Sequence, residues 1–214
     1  MDNKTVIISC AGMGKRLGLA TTKALVKVCD EALIIRTLKY LDGVEDVRIV
    51  VGYQADKVIE TVKQYRKDVI FVMNNNYMNT GTAGSVSLAL DGTKEYVLTI
   101  DGDMIIHPND FAKILEKNGE FVCGSEIRTE DPVLITVKNG NAVKFSREQG
   151  DFEWTGICCL KREHIIKSDK HVYQMVEPNL PLEHLLIRSE EIDTMEDYYR
   201  ATQWVKNNYQ KTHL

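Results

Sequence analysis

The sequence predicts an α/β fold: a mixed, mainly parallel sheet with helices on both faces and antiparallel strands added in the second half. Short runs rich in β-branched residues alternate with longer mixed segments up to about residue 100. These runs are apolar at nearly every position, which is typical of parallel strands buried on both faces. Beyond about residue 120, further short runs follow with little helix between them, which favours antiparallel strands.

Strands and helices alternate along the first half. Strands are predicted at residues 5–9, 47–51, 69–72 and 96–100, each too short for a helix. Helices are predicted at residues 55–65 and 82–90, and around 111–115 after Pro108. Because strand–helix–strand crossovers are right-handed, this order predicts a Rossmann-like arrangement.

The second half adds strands at residues 120–125, 133–138, 141–146 and 156–160. Asn139-Gly140 lies between two of them and predicts a tight hairpin. A closing helix at residues 195–208 follows Thr194 and Asp197, which have the spacing of a capping box. No linker rich in Pro, Gly or Ser separates the halves, so residues 1–214 are interpreted as a single domain.

Composition excludes several classes of protein. The formal net charge is −4, whereas a general nucleic-acid binder normally has a basic excess. No apolar run approaches the roughly 18 residues of a membrane helix, and residues 1–4 begin no secretory pattern, so we expect a cytoplasmic protein. The five cysteines include no CxxC pair and lie mostly in apolar runs, which indicates reduced, buried thiols.

A glycine-rich loop at residues 11–18 directly follows the first strand. Its small residues let the backbone approach a polyphosphate, and its cations add charge-assisted contacts. The loop lacks the GxxxxGK[ST] of a Walker A motif, and its third glycine comes one residue too late for the dinucleotide fingerprint. A tight turn with solvated cations is the alternative for this segment alone. The nucleotide-binding residues predicted here are Ala11, Gly12, Gly14, Lys15 and Arg16.

The loop and the segment after it resemble a known family. Gly12-Met13-Gly14-Lys15-Arg16-Leu17 followed by Lys23-Ala24-Leu25 resembles the GxGxR-(x)n-PK-x-L pattern of the NTP-transferase family, which includes sugar-1-phosphate nucleotidyltransferases and phosphocholine cytidylyltransferases. The resemblance implies that Gly12, Gly14 and Arg16 hold a triphosphate. It also implies that Lys23 binds the nucleotide and neutralises charge near the transferred phosphate. Thr22 stands where the family has proline, which we interpret as a change of loop geometry.

Residues 79–85, at the start of a predicted helix, resemble the family's GTAGA segment. The resemblance implies that Gly81, Thr82 and Ala83 lie against the base and sugar of the nucleotide. Small residues at a helix start allow a flat base to approach the backbone. Capping of the helix by Thr80 or Thr82 is the alternative interpretation.

Two acidic motifs predict a metal site. Asp101 and Asp103 follow the fourth strand, where ligands bind in open α/β sheets, and paired carboxylates suit a hard cation. Gly102-Asp103 resembles the family's GD pair, which implies that Asp103 binds Mg²⁺, while Asp101 is expected to contact the ribose or support the loop. Residues 191–197 resemble the family's (D/E)-I-D-T-x-E-D ending, which implies that Asp193 is the second ligand. Capping of a turn or of the last helix is the alternative for these aspartates.

The acceptor side carries weaker signals. The chain lacks the EKP motif of sugar-using relatives, and Arg147 or Lys144 is expected to hold an acceptor phosphate. Phe152, Trp154 and Gly156 alternate onto one face of a strand, so the two aromatic residues are predicted to form a wall of the pocket. Such a wall suits an amine or a quaternary ammonium group. A half-buried Trp154 that only packs in the core is the alternative.

These motifs together predict a Mg²⁺-dependent nucleotidyltransferase that moves the NMP part of an NTP onto a small phosphorylated acceptor and releases pyrophosphate. Its predicted catalytic residues are Lys23, Arg16 and Asp103. Transfer of CMP from CTP to phosphocholine or a related phosphate ester is favoured because EKP is absent. The alternatives are a sugar-1-phosphate nucleotidyltransferase that uses UTP, dTTP or GTP, and a catalytically silent nucleotide sensor.

Overall fold

The structure is a computed structural model that describes residues 3–209. The single-domain prediction extends to residues 1–2 and 210–214, which lie outside the described residues, and it stays a prediction. The strands are β1 (Lys4–Cys10), β2 (Lys27–Val28), β3 (Glu31–Ala32), β4 (Val47–Val51), β5 (Ile70–Met73), β6 (Tyr96–Asp101), β7 (Met104–Ile106), β8 (Phe121–Ser125), β9 (Leu134–Lys138), β10 (Asn141–Ser146), β11 (Phe152–Lys161), β12 (Leu182–Leu186) and β13 (Ser189–Glu191). The α-helices are α1 (Leu33–Lys39), α2 (Ala55–Tyr65), α3 (Thr82–Leu88), α4 (Pro108–Glu116), α5 (Val172–Val176) and α6 (Met195–Tyr209).

A nine-stranded sheet forms the centre of the molecule, in the order β5-β4-β1-β6-β11-β8-β12-β10-β9. The first four of these strands pair in parallel. β11 then runs antiparallel to both β6 and β8, and β10 runs antiparallel to β12 and β9. Only β10 and β11 therefore oppose the other strands of this sheet, which confirms the mixed, mainly parallel α/β fold.

The sheet separates two apolar cores. Val6 and Ile8 of β1 belong to one core, and Ile7 between them belongs to the other, as strand alternation requires. α1, α2 and α4 bury their apolar faces in the first core. α3 and α5 cover the opposite face. Helices therefore pack on both faces, as predicted, and hold the carboxyl ends of β1 and β6 in fixed positions.

Several local predictions are confirmed. The hairpin between β9 and β10 turns at Asn139 and Gly140, which have φ angles of 52° and 77°. The start of α6 is held by a capping box in which the Asp197 N–H donates to Thr194 Oγ1 at 3.2 Å and the Thr194 N–H donates to Asp197 Oδ2 at 2.8 Å. All five cysteines are free thiols, and four of them are buried. Between residues 3 and 209, no helix is long and apolar enough to cross a membrane.

Other elements were not predicted from the sequence. They are the β2–β3 pair, α1, β7, α5, β12 and β13, each with seven residues or fewer. β12 pairs in parallel with β8, so the strands added in the second half are not all antiparallel. β11 begins at Phe152 rather than at residue 156 and therefore reaches further along the site described next.

Candidate active site

One cleft of about 950 Å³ opens at the carboxyl ends of β1 and β6. It collects most of the site residues predicted from the sequence, although they come from widely separated parts of the chain. Those that line it are Ala11, Gly12, Gly14, Lys15, Arg16, Lys23, Gly81, Thr82, Asp101, Asp103, Arg147, Trp154 and Asp193.

Ala83 and Lys144 were predicted to bind ligands but do not line the cleft. Ala83 is fully buried in the core beneath α3, so its side chain faces the sheet. Lys144 is exposed on β10, where alternation turns its buried neighbour Phe145 inward and Lys144 outward. Neither side chain is placed to touch a ligand in the cleft.

The glycine-rich loop leads from β1 into a short turn of helix at Lys15–Leu17. Gly14 has a φ of 59°, and a Cβ there would lie 2.8 Å from Lys23 Cγ, so only glycine lets the lysine pass this close. Thr22 Oγ1 donates to the Gly12 carbonyl at 3.2 Å. The threonine that replaces the family's proline thus ties the two halves of the loop together.

Lys23 lies between two carboxylates. Its Nζ donates to Asp103 Oδ2 at 2.7 Å and also to Asp193 Oδ1. Arg16 Nη2 lies 2.7 Å from Asp193 Oδ2, and the Arg16 side chain is 72% exposed. Burial alone would lower the pKa of Lys23, but the charges of the two aspartates raise it above its usual value. Lys23 therefore stays protonated between Asp103 and Asp193.

Glu191, at the end of β13, adds a third carboxylate to this pair. One oxygen from each of Asp103, Glu191 and Asp193 lies within 4.8 Å of the others. Burial, with the negative charges of the aspartates, raises the pKa of Glu191 to about 9. The three carboxyl groups thus lie close enough together for their charges to repel one another. An all-oxygen donor set of this kind fits a hard divalent cation such as Mg²⁺.

Asp101 lies at the end of β6 against Gly156 of β11. A Cβ at Gly156 would clash with Asp101 Oδ2, and the glycine has a φ of 77°. Burial, with the nearby charge of Asp103, raises the pKa of Asp101 to about 8. A carboxyl group that holds its proton near neutral pH can donate a hydrogen bond to an oxygen of a ligand.

The 79–85 segment is braced by the chain that precedes α5. The Gly81 N–H donates to the Asp169 carbonyl at 2.7 Å, and the Ala83 N–H donates to the Lys170 carbonyl at 3.1 Å. Thr82 Oγ1 accepts from the Val172 N–H at 3.2 Å. Gly81 is the N-cap of α3 and no side chain caps that helix, so the capping alternative for the threonines is wrong.

Trp154 lies on the side of the cleft where the acceptor is predicted to bind. Its ring packs edge-on against Phe145, at 5.1 Å between ring centroids. It is half-buried and lines the cleft together with Tyr173. Phe152 instead stacks on His184 at 4.7 Å and does not line the cleft, so the predicted pairing of Phe152 with Trp154 is wrong. Alternation along β11 gives the face of a side chain but not whether the cleft reaches that position, and Phe152 lies two residues before Trp154, at the start of the strand.

Several cleft residues were missed by the sequence analysis. Glu191 lay inside a matched motif and was recognisable by its acidic type. Arg128 and Arg200 also line the cleft. Arg128 follows β8 in an irregular segment, and Arg200 looks in the sequence like a surface residue of α6. Arg147 lines the cleft as predicted and pairs with Asp131 at 3.1 Å.

Known proteins resemble the chain in sequence and fold. The bifunctional protein GlmU of Aliarcobacter butzleri (strain RM4018) is 29% identical over 153 residues, which are 70% of this chain and 35% of that protein. The chain thus spans about a third of the length of this curated relative. The CTP:phosphocholine cytidylyltransferase of Streptococcus pneumoniae superposes with a TM-score of 0.76 at 19% identity, covering 95% of this chain and 99% of that one. HddC from Yersinia pseudotuberculosis, in complex with GMP-PN, superposes with a TM-score of 0.74 at 21% identity, covering 94% and 98%.

The family model of the MobA-like NTP transferase domain matches residues 6–156. That range contains the glycine-rich loop, Lys23, the 79–85 segment, Asp103 and Trp154. It covers well over half of the chain and most of the cleft. The chain therefore belongs to the MobA-like NTP transferase domain family.

Proposed function

We propose that the protein is a Mg²⁺-dependent nucleotidyltransferase that transfers NMP from an NTP to a small phosphorylated acceptor and releases pyrophosphate. One observation carries this proposal: a single cleft brings the cationic loop and Lys23 face to face with Asp103, Glu191 and Asp193. Cations suit a triphosphate and oxygen ligands suit the metal that accompanies it. Family membership supports the same reaction type.

In the proposed reaction, an oxygen of the acceptor phosphate attacks the α-phosphorus of the NTP. A new P–O bond forms, the bond to the β-phosphate breaks, and no covalent enzyme intermediate is needed. Lys15 and Arg16 are exposed at the loop and would bind the departing phosphates. Lys23 would offset charge at the transferred phosphate. Mg²⁺, when held by Asp103, Asp193 and Glu191, supplies further positive charge to the phosphate oxygens.

The acceptor we favour is phosphocholine or a related phosphate ester, with CTP as the donor. Trp154 and Tyr173 supply aromatic surface, and the exposed Glu130 lines the same cleft. Aromatic faces beside a carboxylate suit a cationic organic group. Among the relatives, one is named for CTP and phosphocholine and another was solved with GMP-PN, and both share only the fold at this identity.

A screen for pyrophosphate release tests the proposal. Each of the four NTPs is combined with phosphocholine, phosphoethanolamine and a set of sugar 1-phosphates, with and without Mg²⁺. Release that requires CTP, phosphocholine and Mg²⁺ is the expected result. Release with a sugar 1-phosphate and UTP, dTTP or GTP would instead support the sugar alternative. NTP binding without release from any pair would contradict the enzyme proposal and leave the silent sensor.

A further inference from the structure

Two arginines of the cleft share one buried carboxylate. Arg200 of α6 places Nε 2.8 Å from Glu190 Oε2, and Arg128 donates through Nη1 to Glu190 Oε1. Glu190 lies in β13 and is 2% exposed, whereas the side chains of Arg128 and Arg200 are 36% and 34% exposed. The buried carboxylate thus holds both guanidinium groups at the cleft surface.

Both guanidinium groups keep N–H donors for a ligand. A guanidinium has five N–H donors in a planar fork. Arg200 uses Nε for Glu190 and Nη2 for Asp197, at 2.8 Å. Arg128 uses Nη1 for Glu190 and Nη2 for Glu126, at 3.0 Å. Donors remain on each group, and both side chains line the cleft.

The pair lies between the acidic cluster and the aromatic side of the cleft. Asp197 bonds both Arg200 and the Asp193 N–H, and both arginines line the cleft with the three carboxylates of the acidic cluster. On the other side, the Arg128 N–H donates to Glu153 Oε2 at 2.7 Å, and Glu153 is the neighbour of Trp154 in β11. A phosphate at the arginines would therefore lie between the transferred phosphate and the organic group of the acceptor.

We propose that Arg128 and Arg200 bind the phosphate of the acceptor. This inference rests on the proposed function and assigns the phosphate to these residues instead of to Arg147 or Lys144. Arginine binds phosphate oxygens two at a time, which fixes both the position and the direction of the attacking oxygen. The triphosphate is bound by a separate set of cations, Lys15, Arg16 and Lys23, so the two substrates do not compete for the same charges.

Kinetics of Arg128→Gln and Arg200→Gln test the inference, with the acceptor that wild type uses best in the screen. Each variant should raise the acceptor KM by about tenfold or more and leave the NTP KM within about threefold. Arg188→Gln is the matched control, because Arg188 also pairs with a buried carboxylate, Asp110 at 2.7 Å, but does not line the cleft. It should lower Tm without changing the acceptor KM.

A binding measurement separates this inference from the proposed function. Inorganic phosphate is titrated by calorimetry into wild type and both variants saturated with a non-hydrolysable CTP analogue and Mg²⁺. Phosphate binding that is about tenfold weaker in the variants would support the inference even if no acceptor released pyrophosphate. Equal phosphate affinity and acceptor KM in variants with lowered Tm would overturn it, because the arginines would then only stabilise Glu190. If calorimetry detects no phosphate binding to wild type, the inference is also overturned.

Discussion

We expect the Lys23 side chain to move when the substrates bind. Its ammonium bonds both aspartates that we assign to Mg²⁺, so the lysine takes the place of a cation between them. Two cations cannot neutralise the same oxygens at the same distance without strong repulsion. Binding of metal and triphosphate is therefore expected to turn Lys23 from the carboxylates towards the phosphates, where we propose that it acts.

Lys23→Ala should lower kcat by on the order of 10²-fold and weaken NTP binding less, because the lysine acts mainly on charge that develops during transfer. The same variant should bind Mn²⁺ more tightly without nucleotide, since its ammonium no longer competes for the aspartates. Steady-state kinetics and Mn²⁺ titration followed by electron paramagnetic resonance measure the two effects. An effect confined to KM would reassign Lys23 to ground-state binding. Lys27→Ala, at an exposed position of β2, is the control.

Asp103→Asn should keep the fold and lower turnover by on the order of 10²-fold or more, because one ligand of the cation loses its charge. The Mg²⁺ concentration that gives half-maximal rate should rise in parallel. Asp56→Asn, at an exposed position of α2, controls for the loss of a surface carboxylate. Turnover of Asp103→Asn within a few-fold of wild type would remove Asp103 from the metal site.

Trp154→Ala should raise the acceptor KM by roughly 2- to 30-fold, the range that a cation–π contact allows, and leave NTP affinity nearly unchanged. Because Trp154 also packs on Phe145, the variant should lose some thermal stability as well. Phe145→Leu removes the same ring contact from a residue that does not line the cleft, so it should lower Tm alone. Equal effects of both variants on the acceptor KM would show that Trp154 only packs in the core.

At the scale of elements, β13 carries Glu191 and the turn before α6 carries Asp193. These are two of the three carboxylates in the acidic cluster. The capping box at Thr194 and Asp197 fixes Asp193, whose N–H also donates to Asp197 Oδ2 at 3.2 Å. The chain before β13 is joined to α4, because Arg188 Nε donates to Asp110 Oδ2 at 2.7 Å. The acidic cluster thus depends on hydrogen bonds made outside it, by the capping box of α6 and by α4.

The variant Asp110→Asn tests whether the ion pair between Arg188 and Asp110 stabilises this region, through the pH dependence of protein stability. Burial alone would raise the pKa of Asp110, but hydrogen bonds from Arg188 and Lys113 lower it from 3.8 to about 2. The ionised group therefore stabilises the fold above pH 4, and this contribution is lost as pH falls through the folded pKa. Replacing it should lower the free energy of unfolding by on the order of 2 kcal/mol at neutral pH.

The difference between Asp110→Asn and wild type should shrink in acid, because the wild-type carboxyl then also loses its charge. Denaturant unfolding between neutral pH and about pH 2, the folded pKa, measures this difference. Glu60→Gln, an exposed residue of α2, should show no such pH-dependent difference. A difference that stays constant down to the lowest pH would show that the Asp110 charge does not stabilise this region.

At the scale of the whole molecule, one sheet joins the segment matched by the family and the segment beyond it. β12 lies past residue 156, yet it pairs with β8 and β10 inside the nine-stranded sheet. Residues from both segments meet in one cleft. The site is therefore expected to exist only when the entire sheet is formed.

The described part of the chain should accordingly unfold in one cooperative transition. Trp154 of β11 and Trp204 of α6 report on different regions. Fluorescence of Trp204→Phe, which retains only Trp154, should give the same midpoint as far-UV circular dichroism of that variant. Two separate midpoints would contradict the single-domain prediction.

The sequence alone determined the fold class and identified most of the cleft residues to which we assign the nucleotide. Buried strands such as Val47–Val51 are recognised from runs that are β-branched at all but one position, because burial on both faces favours apolar side chains. The glycine-rich loop, Lys23 and Asp103 were recognisable because their chemistry depends on short spacings along the chain. The capping box before α6 is local for the same reason.

Only the tertiary structure decided which residues line the part of the cleft where we propose that the acceptor binds. Arg128 and Arg200 lie far apart in sequence and meet because β13 carries Glu190 between them. Phe152 was placed at the pocket by alternation and Lys144 by its charge, but Phe152 stacks on His184 and Lys144 is exposed on β10, away from the cleft. Spacing along the chain reveals contacts within one loop or helix turn, whereas contacts between distant strands depend on register, which packing of the whole sheet sets.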